Sequence, residues 1–245
     1  RSELKRSETV HGLKKQNKMK KSFLITLVFF GFQTVVNAQI DKNVGDFTSL
    51  KTTNKIKVEL IPADVNKIVV KESDENGVSI TNKDGRLILK NTIKELVTEN
   101  EYSVTVQVHY TTLKEIDAQG GSYIYSTQPV NQTSLELQAN LGSTIDIPVA
   151  TDNLTINANT GAKVKVKGTN TNAAKITASA GAVVTANNVT TKRNKVLVNS
   201  GAQALVSATD YLETQIIAGG TIKIYGKPKD VKEKKSIGGT IEYVK

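Results

Sequence analysis

The second half of the chain alternates apolar and polar residues in short runs around regularly spaced glycines. Apolar or small residues recur three and five positions before each glycine but the last, and again three and five positions after every one of them. Alternation with a period of two predicts strands with one buried face, so each glycine lies at a corner between two strands. The corner glycines, spaced 18 to 21 residues apart, are Gly121, Gly142, Gly161, Gly181, Gly201, Gly219 and Gly238.

A repeat of about 20 residues over half of a chain is typical of a solenoid. Stacked coils pair each strand with its copy in the next coil, about 4.8 Å away. Glycine at each corner permits a positive φ and a close backbone approach. The pattern therefore predicts an all-β parallel β-helix, or β-solenoid, of about seven coils. An antiparallel sandwich is the alternative, but it gives no reason for one corner to repeat at one spacing.

Residues 46–115 alternate less regularly, yet they still predict strands. Asp84-Gly85 lies between two apolar runs and predicts a hairpin turn. Because a solenoid has to cover its open end, we interpret residues 46–115 as an irregular β cap with the first coils. Residues 116–245 are then the regular coils. We expect the charged stretch 227–235 to form a solvated loop over the last coil.

The region around Met19, the only methionine, has the pattern of a secretory signal peptide. Two lysines follow it, then an apolar run over residues 23–32, then Val-Asn-Ala at residues 36–38. A charged start, a short apolar core and a small-residue cleavage site define such a leader. The apolar core is too short to span a membrane comfortably, so we expect no transmembrane span after cleavage. A retained anchor is the alternative.

The leader divides the chain into three segments. Residues 1–18 precede the plausible start and are interpreted as an upstream segment foreign to the fold. Residues 19–38 are the predicted signal peptide, and residues 39–245 are one mature β-solenoid domain.

Composition excludes several classes of protein once the leader is set aside. The net charge is +10, but residues 1–38 carry six of those charges. The mature part therefore lacks the strongly basic footprint of a nucleic-acid-binding protein. The chain has no cysteine, so coil stacking and not a disulfide framework has to stabilise it. Nothing indicates a cofactor, and the sequence leaves the oligomeric state open.

Catalytic chemistry has little support. His109 is the only histidine of the mature segment, and it alternates with valines on a strand, as a surface or cap histidine does. No histidine pair for a metal and no nucleophile elbow is present. Asp117 and Glu136 are predicted to face outward near each other. They support the alternative of a carbohydrate-active β-helix enzyme, but we predict that the chain is not an enzyme.

Outward positions of the repeats supply candidate binding residues. Two tyrosines on the first clear coil are the aromatic groups that a sugar site requires, three alternating lysines form a basic stripe, and asparagines lie near one corner. The candidates are Tyr123, Tyr125, Lys163, Lys165, Lys167, Asn157 and Asn159. Side-chain ladders and a solubilising surface are the structural alternatives for the polar ones.

Three segments of the chain resemble the GIN-type domain, called the putative auto-transporter adhesin head domain. They are Ile-Tyr-Gly-Lys-Pro at 224–228, Ile-Gly-Gly-Thr-Ile at 237–241, and Val-Gly-Asp-Phe at 44–47 followed by Ile-Lys-Val at 56–58. The resemblance covers about residues 44–245. It implies a β-helical fold and the cell-envelope or extracellular setting of exported proteins of Bacteroidetes, and it supplies no catalytic residues.

These observations predict an exported, non-enzymatic surface or envelope interaction protein, either an adhesin or a glycan-binding module. Its partner would be a glycan or a cell-envelope protein, in the periplasm, at the outer-membrane surface or outside the cell. The alternatives are the carbohydrate-active enzyme and a periplasmic structural scaffold.

Overall fold

A computed structural model describes residues 39–71, 76–93, 102 and 104–244. The predicted upstream segment and signal peptide, residues 1–38, lie outside the described residues. All the described strands belong to one compact unit, Asn37–Lys245. Across the described ranges, no helix has both the length and the apolar character needed to cross a membrane.

Strands account for most of the unit. Those that precede the regular repeat are β1 (Gln39–Asn43), β2 (Ser49–Thr53), β3 (Ile56–Pro62), β4 (Lys67–Lys71), β5 (Val78–Lys83), β6 (Arg86–Asn91) and β7 (Val104–Tyr110). The regular repeat contains β8 (Glu115–Ala118), β9 (Tyr123–Tyr125), β10 (Val130–Ala139), β11 (Thr144–Ala158), β12 (Lys163–Ala178), β13 (Val183–Val198), β14 (Gln203–Ser207), β15 (Tyr211–Ala218), β16 (Thr221–Tyr225), β17 (Asp230–Ile237) and β18 (Thr240–Val244).

Each coil crosses two parallel sheets that enclose the core. Strand segments that follow the corner glycines form the front sheet, in the order β9, β11, β12, β13, β14, β16 and β18. Segments that precede the glycines form the back sheet, in the order β8, β10, β11, β12, β13, β15 and β17. The long strands β11, β12 and β13 bend and contribute to both sheets. The predicted β-solenoid is confirmed, with seven corners that enclose about six turns.

The corners take a left-handed backbone at two successive residues. All seven corner glycines have φ between +63° and +73°. At the third corner Thr160 also has a positive φ, +50°, and the Ala162 amide donates to the Asn159 carbonyl over 3.3 Å. Two positive φ values in a row are what a type I′ turn requires. The Gly161 amide donates to the Ala180 carbonyl of the next coil, 3.0 Å away, which joins successive corners.

The predicted inward positions are buried in every coil except the last. Val164, for example, is 1% exposed and lies between Ile145 and Val184 of the adjacent coils. In the last coil the inward positions of β17 hold Glu233 and Lys235, opposite buried residues of β15. The expected loop over residues 227–235 is therefore wrong, since β17 continues the back sheet. Charged side chains on the inward row of an edge strand disfavour the addition of another strand.

The first strands do not stack in chain order. β2 lies between β8 and β6 in the back sheet, and β3 lies between β9 and β7 in the front sheet. Antiparallel strands complete this end: β5 pairs with β6 through the Asp84-Gly85 turn, β4 pairs with β7, and β1 pairs with β4. As a result, outward side chains of β3 lie between those of β9 and β7, both far away in sequence.

Candidate functional site

Three tyrosines stack on the outer surface of the front sheet. β9 buries Ile124, so the alternating side chains of Tyr123 and Tyr125 point outward, where both are half-buried. Their ring centroids are 5.3 Å apart with an interplanar angle of 17°. Tyr102 stacks on Tyr123 at 5.8 Å and 27°. Such near-parallel pairs are favourable aromatic geometry.

Tyr123 and Tyr125 each belong to a row of outward, mostly polar side chains across five neighbouring strands. By strand register, the residue order in each row runs from β7 through β3, β9 and β11 to β12, a distance of about 19 Å. The first row is Gln107, Glu59, Tyr125, Asp146 and Lys165. The second row is Thr105, Lys57, Tyr123, Thr144 and Lys163. These ten residues and Tyr102 are called the tyrosine face below.

Donors and acceptors alternate along the first row. Gln107 Nε2 donates to Glu59 Oε2 over 3.0 Å, and Lys165 Nζ lies 3.3 Å from Asp146 Oδ2. Lys57 Nζ lies 5.4 Å from the centroid of the Tyr125 ring, within the range of a cation–π contact. The rings are therefore held in place by neighbours that also expose polar atoms to solvent.

The three phenols stay neutral at physiological pH. Burial raises the pKa of Tyr123, and the Asp146 carboxylate raises it further. Burial also raises the pKa of Tyr125, with added contributions from the charge of Glu59, the neighbouring Tyr123 and a hydrogen bond to Glu59. The pKa of Tyr102 is raised by burial and by Tyr123. Each hydroxyl can thus act as both donor and acceptor.

The structure separates the predicted site residues into two groups. Tyr123, Tyr125, Lys163 and Lys165 share the tyrosine face. Lys167 is exposed farther along β12, opposite Pro148.

The predicted asparagines lie elsewhere. Asn157 is on the back sheet, where its Nδ2 donates to Glu136 Oε1 over 3.3 Å. Asn159 lies at a corner, and its Oδ1 accepts from Ser179 Oγ at 2.8 Å. Both asparagines therefore make ladder contacts between coils and do not join the tyrosines.

Sequence reasoning missed Lys57, Glu59, Gln107 and Tyr102. The alternation in β3 and β7 does place the first three on an outward face. The missing information was the strand order, because β3 enters the front sheet between β9 and β7 and not beside its neighbours in sequence.

The two carboxylates singled out for acid–base chemistry are not paired. Asp117 is 5% exposed, accepts from Gln119 Nε2 and lies 3.6 Å from Lys51 Nζ. Glu136 accepts from Gln138 and Asn157. By register Asp117 is opposite Gln138, so each carboxylate is occupied by its own donors.

The histidine is part of the cap. His109 lies half-buried on β7, opposite Lys67 of β4. Burial lowers its pKa, and the Lys67 charge lowers it further. Within the ranges given above, no group of three His, Cys, Asp or Glu residues is arranged to hold a metal ion.

The fold and its outer face define a two-sheet β-solenoid whose accessible chemistry is aromatic and polar. The chain belongs to the family described as "putative auto-transporter adhesin, head GIN domain", whose family model matches residues 46–228. The resemblance to this family that the sequence predicted is confirmed. No curated protein matches the chain.

Solved structures share the fold at low identity. A putative adhesin from Bacteroides fragilis aligns with a TM-score of 0.75 at 17% identity, over 84% of this chain and 96% of its own. A putative lipid binding protein from Parabacteroides distasonis aligns with a TM-score of 0.65 at 16% identity, over 85% of this chain and 96% of its own. A putative adhesin from Parabacteroides merdae aligns with a TM-score of 0.63 at 19% identity, also over 85% of this chain and 96% of its own.

Proposed function

We propose that this chain is an exported, non-enzymatic adhesin-type protein that binds saccharides through the tyrosine face. The observation that carries the proposal is the stack of three neutral tyrosines among the polar side chains of two rows on five strands. Tyrosine combines an apolar body with a hydroxyl, which suits ligands that have both C–H surfaces and hydroxyl groups. The alternating amide, carboxylate and ammonium groups supply partners for those hydroxyls.

The geometry also indicates how strongly such a face binds. The rings stack on each other, so they present edges and hydroxyls and not one open aromatic plane. A single site of this kind binds weakly. Affinity rises when many copies, displayed together, contact a repeating ligand at the same time. Membership in an adhesin-type family supports this mode of action.

Replacing Tyr123 and Tyr125 together by alanine is expected to reduce glycan binding at least about tenfold, which corresponds to about 1.4 kcal/mol. The substitution removes two of the three stacked rings and their hydroxyls from the two polar rows. Residues 39–245, displayed multivalently on beads, would be tested on a glycan array, and the hits would be titrated.

The matched control is Tyr225→Ala, an outward half-buried tyrosine of β16 at a distance from the tyrosine face. The conservative variant Glu59→Gln keeps the shape and tests the acceptor role of the carboxylate. If multivalent wild-type protein bound no glycan, the proposal would fail. Binding that survived loss of both tyrosines would move the site elsewhere. Turnover of any polysaccharide would contradict the non-enzymatic part.

Protease shaving tests the location that adhesion requires. We expect protease to remove the chain from intact cells, because an adhesin has to face the medium. The chain would be detected with an antibody to residues 39–245, with a periplasmic protein as the protected control. Survival in intact cells and loss in opened cells would instead favour a periplasmic scaffold.

A further inference from the structure

A groove of about 800 Å³ crosses the outer surface of the back sheet, on the opposite sheet from the tyrosine face. It is lined mainly by outward residues of β11, β12, β13, β15 and β17. The floor of the groove is formed at β12, where the small side chain of Ala173 lies between Asn153 and Arg193 of the adjacent strands. A groove of this volume lies within the range of known ligand sites.

Cations converge on this groove at positions fixed by strand register. Lys175 lies directly opposite Lys195. Arg193, two residues before Lys195, is on the same outward face of β13. Like charges at directly opposite positions are destabilising. Lys232 of β17 lines the far side. The fold therefore brings cationic side chains together, and a bound anion would reduce the repulsion between them.

The acidic residues near the groove are largely engaged by other groups. Glu213 Oε2 lies 3.4 Å from Lys195 Nζ and accepts from the Tyr211 hydroxyl at 3.1 Å. Asp210 Oδ1 lies 2.8 Å from the Nζ atom of Lys229, a lysine that is not part of the groove lining. Throughout the part of the chain that the structure describes, Lys175 and Arg193 form no ion pair. The groove thus keeps an unbalanced positive charge.

We propose that this back-sheet groove binds an acidic polysaccharide, with Lys175, Arg193 and Lys195 holding its carboxylate or sulfate groups. The groove crosses five strands, about 19 Å, which suits an extended chain better than a compact anion. Asn153 and Thr155 line it as partners for sugar hydroxyls. Asp210 and Asp230 also line it, and their carboxylates can accept hydrogen bonds from free sugar hydroxyls, which the backbone of single-stranded DNA lacks. The site is independent of the saccharide site proposed on the front sheet.

The binding experiment uses residues 39–245 with polygalacturonate, which carries carboxylates, and its methyl-esterified form as the uncharged match. Dextran sulfate and dextran form the corresponding sulfate pair. We expect the charged polymer of at least one pair to bind and to raise the melting temperature. Affinity should fall as salt rises, because exposed ion pairs are screened. Binding to both polymers of a pair alike would overturn the proposal, and so would binding to no polymer.

The double variant Lys175→Ala with Arg193→Ala is expected to weaken binding of the charged polymer at least about tenfold. Both side chains are exposed and Lys175 faces a like charge, so the variant should keep its melting temperature. The control is Lys83→Ala with Lys114→Ala, which removes the same charge from exposed positions away from the groove. Lys175→Arg should retain binding.

Equal losses of affinity in the double variant and the control would show that net charge alone explains the binding, which would overturn the proposed site. Tighter binding to single-stranded DNA or to phosphatidylcholine–phosphatidylserine vesicles would replace the acidic polysaccharide by another class of partner. The Tyr123→Ala, Tyr125→Ala protein should bind the acidic polymer as wild type does, so failure at one face leaves the other face testable.

Discussion

Val164→Asp is expected to lower the free energy of unfolding by at least about 4 kcal/mol, a large fraction of the roughly 5–15 kcal/mol that stabilises a typical domain. Val164 is 1% exposed, and the residues opposite it on both sides are Ile145 and Val184. An aspartate there would place a carboxylate in the apolar core without a partner. Urea titration of residues 39–245, followed by circular dichroism, measures the loss.

The control for this variant is Lys163→Asp, one position earlier on the same strand. Lys163 points outward and is exposed, so its replacement is expected to change stability by no more than about 0.5 kcal/mol. A shift of one residue in the strand would exchange the inward and outward rows. Equal losses in the two variants would therefore show that the inward register is wrong.

Gly168→Ala is expected to cost about 3 kcal/mol or more, although it adds only one methyl group. A Cβ at Gly168 would lie 2.2 Å from the Val149 carbonyl oxygen of the adjacent coil. This neighbour is backbone and cannot rotate away, so β11 or β12 would have to shift at their bend, which strains a packed core. Thermal unfolding under the same conditions as wild type reports the loss.

Gly161→Ala is the matched substitution at a corner. A Cβ there would meet nothing within 4 Å, so the expected cost is only that of a left-handed residue with a side chain, about 1 kcal/mol. Both variants lose one glycine, and the change in unfolded-chain entropy is therefore similar. A loss at Gly168→Ala no larger than that at Gly161→Ala would contradict the contact expected between a Cβ at Gly168 and the adjacent coil.

Local patterns predicted much of this architecture because every coil of a solenoid has to bury side chains at equivalent positions. Inward residues such as Ile156 and Ile176 were identifiable from alternation alone, since each has to be buried by an equivalent residue one coil away. The corner glycines were predicted for the same reason. The second left-handed residue at Thr160 was not, because threonine has no preference for positive φ.

Pair interactions between different coils were harder to predict. Asp117 was expected as an exposed carboxylate near Glu136, yet register places it opposite Gln138 and beside Lys51. The stretch after Pro228 looked like a loop because it is charged, but backbone pairing with β15 makes it a strand. Hydrophobic patterning reports burial, and an edge strand with charged inward residues buries little.

The sequence by itself determined the repeat, the glycine corners, the two alternating faces and the family, because these depend on residues within about 20 positions of each other. Only the tertiary structure decided that β3 lies between β9 and β7. This order places Glu59 next to Tyr125, with Gln107 on the far side of Glu59. The back-sheet groove likewise depends on which lysine faces which across the strands. Strand order and register are set by the lowest free energy of the whole stack, and no single segment encodes them.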